Sequence, residues 1–190
     1  MGLSFTASTH EYLDTATGEV LPSVTQMLQI AGLVNSDWFT AESAARGTAV
    51  HQLCADWDHD AIQDLGALKS PHKAYLLAHV DAMRKIKPEI LCIEQALMHE
   101  RWRFAGTPDR VVKIDGRLSV LELKSGQAHS SHLVQTALQA MLVSAKTGVP
   151  AESIGRFGLY LKGTGRFTFE AFTRRRDFDC AMTVIRKCCS

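Results

Sequence analysis

The chain has 190 residues, 46% of them hydrophobic, and a formal net charge of +1. That length and apolar fraction suit a single domain over residues 1–190 with a real core, and they exclude a disordered or fibrous chain. So small a net charge excludes a global field for polyanions, so any nucleic-acid binding must rest on local positive charge.

No apolar run approaches the roughly 20 residues that a membrane span needs. Five cysteines are present, at positions 54, 92, 180, 188 and 189, without a C-x-x-C pair. An odd count, irregular spacing and no signal peptide point to a reducing, cytoplasmic compartment.

The N-terminal stretch from Phe5 to Val20 patterns as a hairpin, with turn chemistry over Asp14 to Gly18. Pro22 ends the strand, Ser23 is placed to cap, and Val24, Met27, Leu28 and Ala31 form a helical face closed by Gly32. The spacing predicts a second helix from Asp37 to about Asp60, with Trp38, Ala41, Ala45, Thr48, Ala49 and Leu53 inward. A third amphipathic helix ends before Pro88.

Three strand-like runs follow: one over Glu89 to Gly106, one over Pro108 to Asp115, and one over Leu118 to Ser125, with a tight turn at Asp115-Gly116. A helix with Leu133, Val134, Ala137, Leu138, Met141 and Leu142 inside is capped by Gly148. A hairpin across Gly163 to Gly165 and a last helix over Asp177 to Cys188 close the chain. This order fits an α/β or α+β domain with a mixed sheet.

Charged residues interrupt the middle strands. Residues two apart in a strand share a face, so Glu122 and Lys124 lie together, opposite Leu121 and Leu123. Alone, this pattern also fits an edge strand with a solvated Glu–Lys pair. Asp109 begins the preceding strand, and a turn at Asp115-Gly116 brings it back toward Glu122 and Lys124. Two carboxylates brought close repel unless a cation lies between them, and oxygen donors favour Mg²⁺ or Mn²⁺. A lysine beside that cation suits an anionic substrate such as a phosphodiester.

Pro108-Asp109 followed by Glu122-Leu123-Lys124 resembles the pattern of the PD-(D/E)xK nuclease superfamily. Gly47 and His51 resemble the G-x-x-x-H motif of its RecB-like and phage-type exonuclease group, in which the histidine ligates metal. Gln135 matches the glutamine of that group's Q-x-x-x-Y motif, while Gln139 stands in place of the tyrosine. Read without the resemblance, His51 is a packed or surface histidine and the two glutamines are a solvated face.

The resemblance implies a restriction-endonuclease-like core and a metal-dependent deoxyribonuclease, an exonuclease serving recombination, repair or phage DNA processing. It implies that His51, Asp109, Glu122 and the Leu123 carbonyl hold Mg²⁺ or Mn²⁺. Lys124 would orient or deprotonate water or contact phosphate, and Gln135 would position Lys124 or the phosphate. Glu94 falls where the group often carries an acidic residue, in support of the metal site. DNA is the implied partner, with a homo-oligomer or a recombination or helicase partner also possible. A non-catalytic DNA-binding or assembly module on the same fold, or a structure-specific endonuclease, is the alternative.

Candidate nucleic-acid contacts are Arg46, Lys162, Arg166 and the run Arg174, Arg175 and Arg176. Trp102, between Arg101 and Arg103, suits base stacking or, equally, a place in the core. Some relatives hold an iron–sulfur cluster through four cysteines; the adjacent Cys188 and Cys189 space poorly for that, and no cluster is expected.

Overall fold

A computed structural model describes residues 2–6, 9–34 and 40–189. The expected helix start at Asp37 and the inward Trp38 lie outside these residues.

The architecture is a mixed α/β one, with a central mixed five-stranded sheet flanked by helices. Ahead of that sheet, β1 (Leu3–Thr6), β2 (Glu11–Asp14) and β3 (Glu19–Leu21) form a small antiparallel sheet instead of a lone hairpin. Helix α1 (Val24–Ile30) starts at Ser23 with a reciprocal capping box: Ser23 Oγ accepts from the Gln26 amide, and the Gln26 side chain accepts from the Ser23 amide. Its Val24, Met27 and Leu28 are buried as the spacing requires.

Helix α2 (Ala41–Asp58) is capped by Thr40, whose hydroxyl accepts from the Ser43 amide. It buries a different face from the expected one. Ala41, Ala45 and Thr48 are exposed, and Val50, Cys54 and Ala55 are inside. Small residues that look apolar in sequence carry little burial energy, so the larger Val50 and Cys54 decide the orientation. Helix α3 (Lys73–Ile86) ends at Lys87, which is left-handed (φ 51°) immediately before Pro88.

The single strand expected over residues 89–106 is broken into three: β4 (Glu89–Ile93), β5 (Leu97–His99) and β6 (Phe104–Gly106). Glu94 and Arg103 both adopt positive φ, so the chain turns at each. β5 and β6 pair with one another as a small ribbon, and Ala105 of β6 also bridges to Ser23. β7 (Arg110–Ile114) and β8 (Arg117–Lys124) form the expected hairpin, with Asp115 and Gly116 both left-handed at its turn.

Helix α4 (Ser131–Thr147) crosses over and returns as β9 (Gly155–Leu161), which lies parallel to β8. β10 (Phe167–Ala171) pairs antiparallel with β9, and α5 (Arg176–Cys188) closes the chain. The strand order is β10-β9-β8-β7-β4, so β8 is central and not an edge.

Two apolar layers cover the sheet. Val111 and Val120 pack with α1, α4 and α5, and Leu121, Leu123 and Val112 pack with α2 and α3. Alternation along β8 therefore sends Glu122 and Lys124 toward α4. Gly106 lies where α1 and α4 approach the ribbon. A side chain there would press its Cβ to 2.8 Å from Val24. Among the described residues, no helix is long and apolar enough to cross a membrane.

Candidate active site

The site forms at the C-terminal end of β8. Antiparallel pairing sets Arg110 opposite Leu121, which brings Asp109 to Glu122 and Leu123. Asp109 Oδ2 accepts a 2.7 Å hydrogen bond from the Leu123 amide, and His51 Nδ1 stands 3.3 Å from Oδ1. The other ring nitrogen, His51 Nε2, lies 3.0 Å from the Leu123 carbonyl oxygen. Both polar groups of Leu123 thus serve the site through its backbone.

Glu122 is gripped from three directions. Its Oε1 accepts from Lys124 Nζ at 2.6 Å and from Gln135 Nε2 at 2.5 Å. Its Oε2 accepts from Gln139 Nε2 at 2.7 Å. Residues four apart on α4 share a face, so both glutamines reach one carboxylate. Gln139 is 3% exposed, so the solvated-face reading of these glutamines does not hold for it. It holds the second oxygen of Glu122, a role that the sequence did not suggest. Gln135 bonds Glu122, where positioning of Lys124 or of phosphate was expected.

The charges are strongly coupled. The Asp109 carboxylate holds His51 protonated up to about 9, against the effect of burial. Burial opposes ionisation of Asp109, but His51, Lys124 and the Leu123 amide outweigh it and keep its carboxyl below the usual range. Burial, and then the nearby Asp109 charge, push Glu122 upward. Burial alone would lower Lys124, yet Glu122 and Asp109 hold its ammonium above the ordinary value.

Two spaces open on the site. A small cavity of about 180 Å³ lies on the Asp109 and Glu122 side, lined also by Tyr12, Thr107, Gln135 and Gln139. Tyr12 closes it from the N-terminal sheet, its hydroxyl 2.8 Å from Thr107 Oγ1. A wider cleft of about 610 Å³ lies on the His51 and Lys124 side, between Arg46, Gly47, Gly126 and His132. Gly47 is not forced by close packing: a Cβ there would come no nearer than 4.0 Å to Ser125 Oγ. Its small size keeps this cleft open.

His132 borders the same cleft with Nδ1 3.0 Å from the Tyr160 hydroxyl. Burial, with Lys124 and His129 nearby, drives its pKa down to about 3, so the ring stays neutral.

Behind Asp109 lies a buried ionic network. Arg110 is fully buried; its Nε donates to Asp58 Oδ2 at 2.7 Å and its Nη1 donates to the Asp109 carbonyl at 2.6 Å. His79 Nε2 holds the other Asp58 oxygen at 2.8 Å. Glu94 donates its amide to the same Asp109 carbonyl at 3.0 Å, and its side chain lies 3.9 Å from Arg110. Glu94 therefore touches the backbone of Asp109, not its carboxylate. The signal for Asp58 was present: His51, Cys54, Ala55 and Asp58 fall on one side of α2.

The remaining candidates are dispersed. Lys162 and Arg166 close the β9–β10 turn, and parallel pairing of Lys124 with Tyr160 puts that turn at the same end of the sheet as the site. Arg174, Arg175 and Arg176 follow β10 and lie at the opposite end. Trp102 packs partly buried against the core, with the Arg101 guanidinium 5.0 Å over its ring. Arg103 is committed to Asp14 and Glu19 of the N-terminal sheet.

Among the described residues, no three or more His, Cys, Asp or Glu side chains are already arranged around one metal position. The donor types nonetheless suit a hard cation: the carboxylates of Asp109 and Glu122 line one small cavity, and the His51 imidazole lies against Asp109 and the Leu123 carbonyl.

No protein-family model and no curated protein matches the chain. Among solved structures, the crystal structure of a "Putative exonuclease" from Eubacterium rectale matches with a TM-score of 0.50 at 12% identity. The match covers 97% of this chain and 83% of that one. At this identity the likeness is one of fold.

Proposed function

We propose that this chain is a Mg²⁺- or Mn²⁺-dependent deoxyribonuclease of the PD-(D/E)xK superfamily, acting on DNA ends in recombination, repair or phage DNA processing. One observation carries the reading. Asp109, Glu122 and Lys124 lie together at one strand end, with His51 from α2 on one side and Gln135 and Gln139 from α4 on the other. The nuclease-like fold supports it.

Asp109, Glu122, the Leu123 carbonyl and neutral His51 would hold the cation, which when bound supplies an acidified water and offsets charge on the transition state. His51 must give up its proton to join. Lys124, fully charged, donates hydrogen bonds to a phosphate oxygen or to the attacking water. Gln135 and Gln139 fix the Glu122 carboxylate so that it does not swing into the empty volume beside it. The wider cleft, bounded by Arg46, receives the DNA backbone, and Lys162 and Arg166 sit at the same end of the sheet.

Purified Asp109→Ala and Lys124→Ala are each expected to keep the fold by circular dichroism and to lose DNA cleavage in Mn²⁺. Cutting at the wild-type rate by either variant overturns the assignment. End-labelled linear and closed-circular DNA, single- and double-stranded, distinguish the modes of action. An exonuclease leaves closed circles intact.

A second reading has its own support, since Glu122 already accepts hydrogen bonds on both oxygens from Lys124, Gln135 and Gln139. It makes the chain a non-catalytic DNA-binding or assembly module, and it predicts neither Mn²⁺ binding in a titration nor cleavage.

A further inference from the structure

A separate cavity of about 480 Å³ opens at the far end of the sheet, where β8 begins. Arg117 on its rim is five residues before Glu122, roughly 16 Å along the strand at about 3.3 Å per residue. The cavity therefore lies apart from the site above.

Its lining has two characters. Phe157, Phe172 and Phe178 form apolar walls, and Arg117, Arg174 and Arg175 bring guanidinium groups to the rim. The walls are braced. Phe157 stacks on Phe169 at 4.9 Å, and buried Arg156 lies over the Phe178 ring at 4.8 Å. Arg156 spends its charge on Asp177, at 2.7 Å, and acts as scaffold.

The rim arginines are differently placed. Among the described residues, Arg117 uses only Nε, on the Ser153 carbonyl, which leaves its two terminal nitrogens without a partner there. Among the described residues, the exposed Arg174 and Arg175 side chains have neither a hydrogen-bond nor an ion-pair partner. Against these three positive charges, Glu152 is the acidic residue in the lining. The volume suits a ligand of small-molecule size. Guanidinium groups favour phosphate, and apolar aromatic walls favour a flat ring. One ligand class carries both features in that volume.

We propose that this cavity binds a nucleoside phosphate, as one unit of a single DNA strand held away from the point of cleavage. Placing the ligand in a strand rests on the nuclease reading; binding of the nucleoside phosphate does not.

The test is fluorescence anisotropy of a labelled single-stranded oligodeoxythymidylate of about a dozen residues, in EDTA, so that binding is read without cleavage. Arg117→Ala combined with Arg174→Ala should weaken binding roughly tenfold or more and make the salt dependence shallower. Glu152→Gln should tighten binding roughly two- to fivefold, a gain that misfolding does not produce. Photocrosslinking through 5-iodouracil should yield adducts in the segment 155–178. Displacement of the strand by thymidine monophosphate would assign the cavity to a free nucleotide; binding without displacement would assign it to a strand unit. Unchanged affinity in both variants, or adducts confined to residues 44–51 and 124–135, overturns the proposal. A wild-type protein that binds through these arginines but does not cut in Mn²⁺ keeps the cavity and removes the nuclease.

Discussion

At the scale of single residues, Gln139 carries the largest revision. It stands where the resembled group has a tyrosine, and in the structure its amide holds the Glu122 oxygen that Lys124 and Gln135 leave free. The sequence hid this because α4 is buried on more than its Leu-rich side. Thr136, Gln139 and Ala140 are buried along with Leu138 and Leu142. An amphipathic reading assigns polar residues to water, and it fails on a helix wedged between a sheet and two other helices. Gln139→Leu leaves one buried Glu122 oxygen without a donor, which pushes the carboxyl further toward the neutral form. On the nuclease reading, Mn²⁺ affinity or cleavage rate should fall by roughly 10- to 100-fold, read by titration and by single-turnover cutting. A wild-type Mn²⁺ affinity and rate in this variant would show that Glu122 does not need the second glutamine. Asp109, Glu122 and Lys124, by contrast, were legible because strand alternation and one tight turn suffice to bring them together.

At the scale of elements, the buried Asp58–His79–Arg110 network ties α2, α3 and β7 together behind the site. An arginine with no exposed surface is costly unless it is paired, and removing its carboxylate leaves an uncompensated charge. Asp58→Asn should therefore cost about 3–5 kcal/mol of stability near neutral pH, measured by urea unfolding. The pH dependence has a definite sign. Burial opposes ionisation of Asp58, but His79 and Arg110 overcome it and depress its carboxyl. A carboxyl depressed on folding stabilises the protein above its unfolded pKa of about 3.9, and that stability is lost as pH falls through the folded value. The wild type should lose melting temperature below about pH 4, and Asp58→Asn should lose less over the same interval. An identical acid profile in the two proteins would count against the network. No local sequence pattern carries this network. His79 sits among Leu76, Ala78, Val80 and Ala82, where a lone histidine carries no pattern, and the partner that explains it is 21 residues away.

At the scale of the whole molecule, local pattern gave the kinds of element but not their neighbours. The parallel pairing of β8 with β9 depends on α4 crossing the sheet, a long-range fact that no short window contains. The hairpin of β7 and β8 depends on two left-handed residues in sequence and could be read directly. The resulting order places β8 between β7 and β9 with a helical layer on each face, while β10 and β4 keep an open edge. Amide hydrogen exchange should follow that order. The amides of Val120 to Leu123 should exchange slowest, through global unfolding, and those of β10, β4 and the N-terminal sheet should exchange faster through local opening. Fast exchange in β8 would contradict the layered core and would leave the site without a rigid base.

The role of Leu123 puts part of this site beyond the reach of the genetic code. Its N–H serves Asp109 and its carbonyl serves His51, while its side chain only fills space between α2, α3 and the sheet. Exchange for isoleucine or methionine keeps both main-chain groups, so a residue scan scores the position as packing and natural variation there passes without effect on chemistry. Chemical synthesis can separate the two roles. Replacing the amide at Leu123 by an ester removes the donor to Asp109 and changes no side chain. On the nuclease reading, cleavage should drop in the ester protein and survive in Leu123→Met. Equal activity in the two would return Leu123 to the core and leave Asp109 oriented by His51 alone.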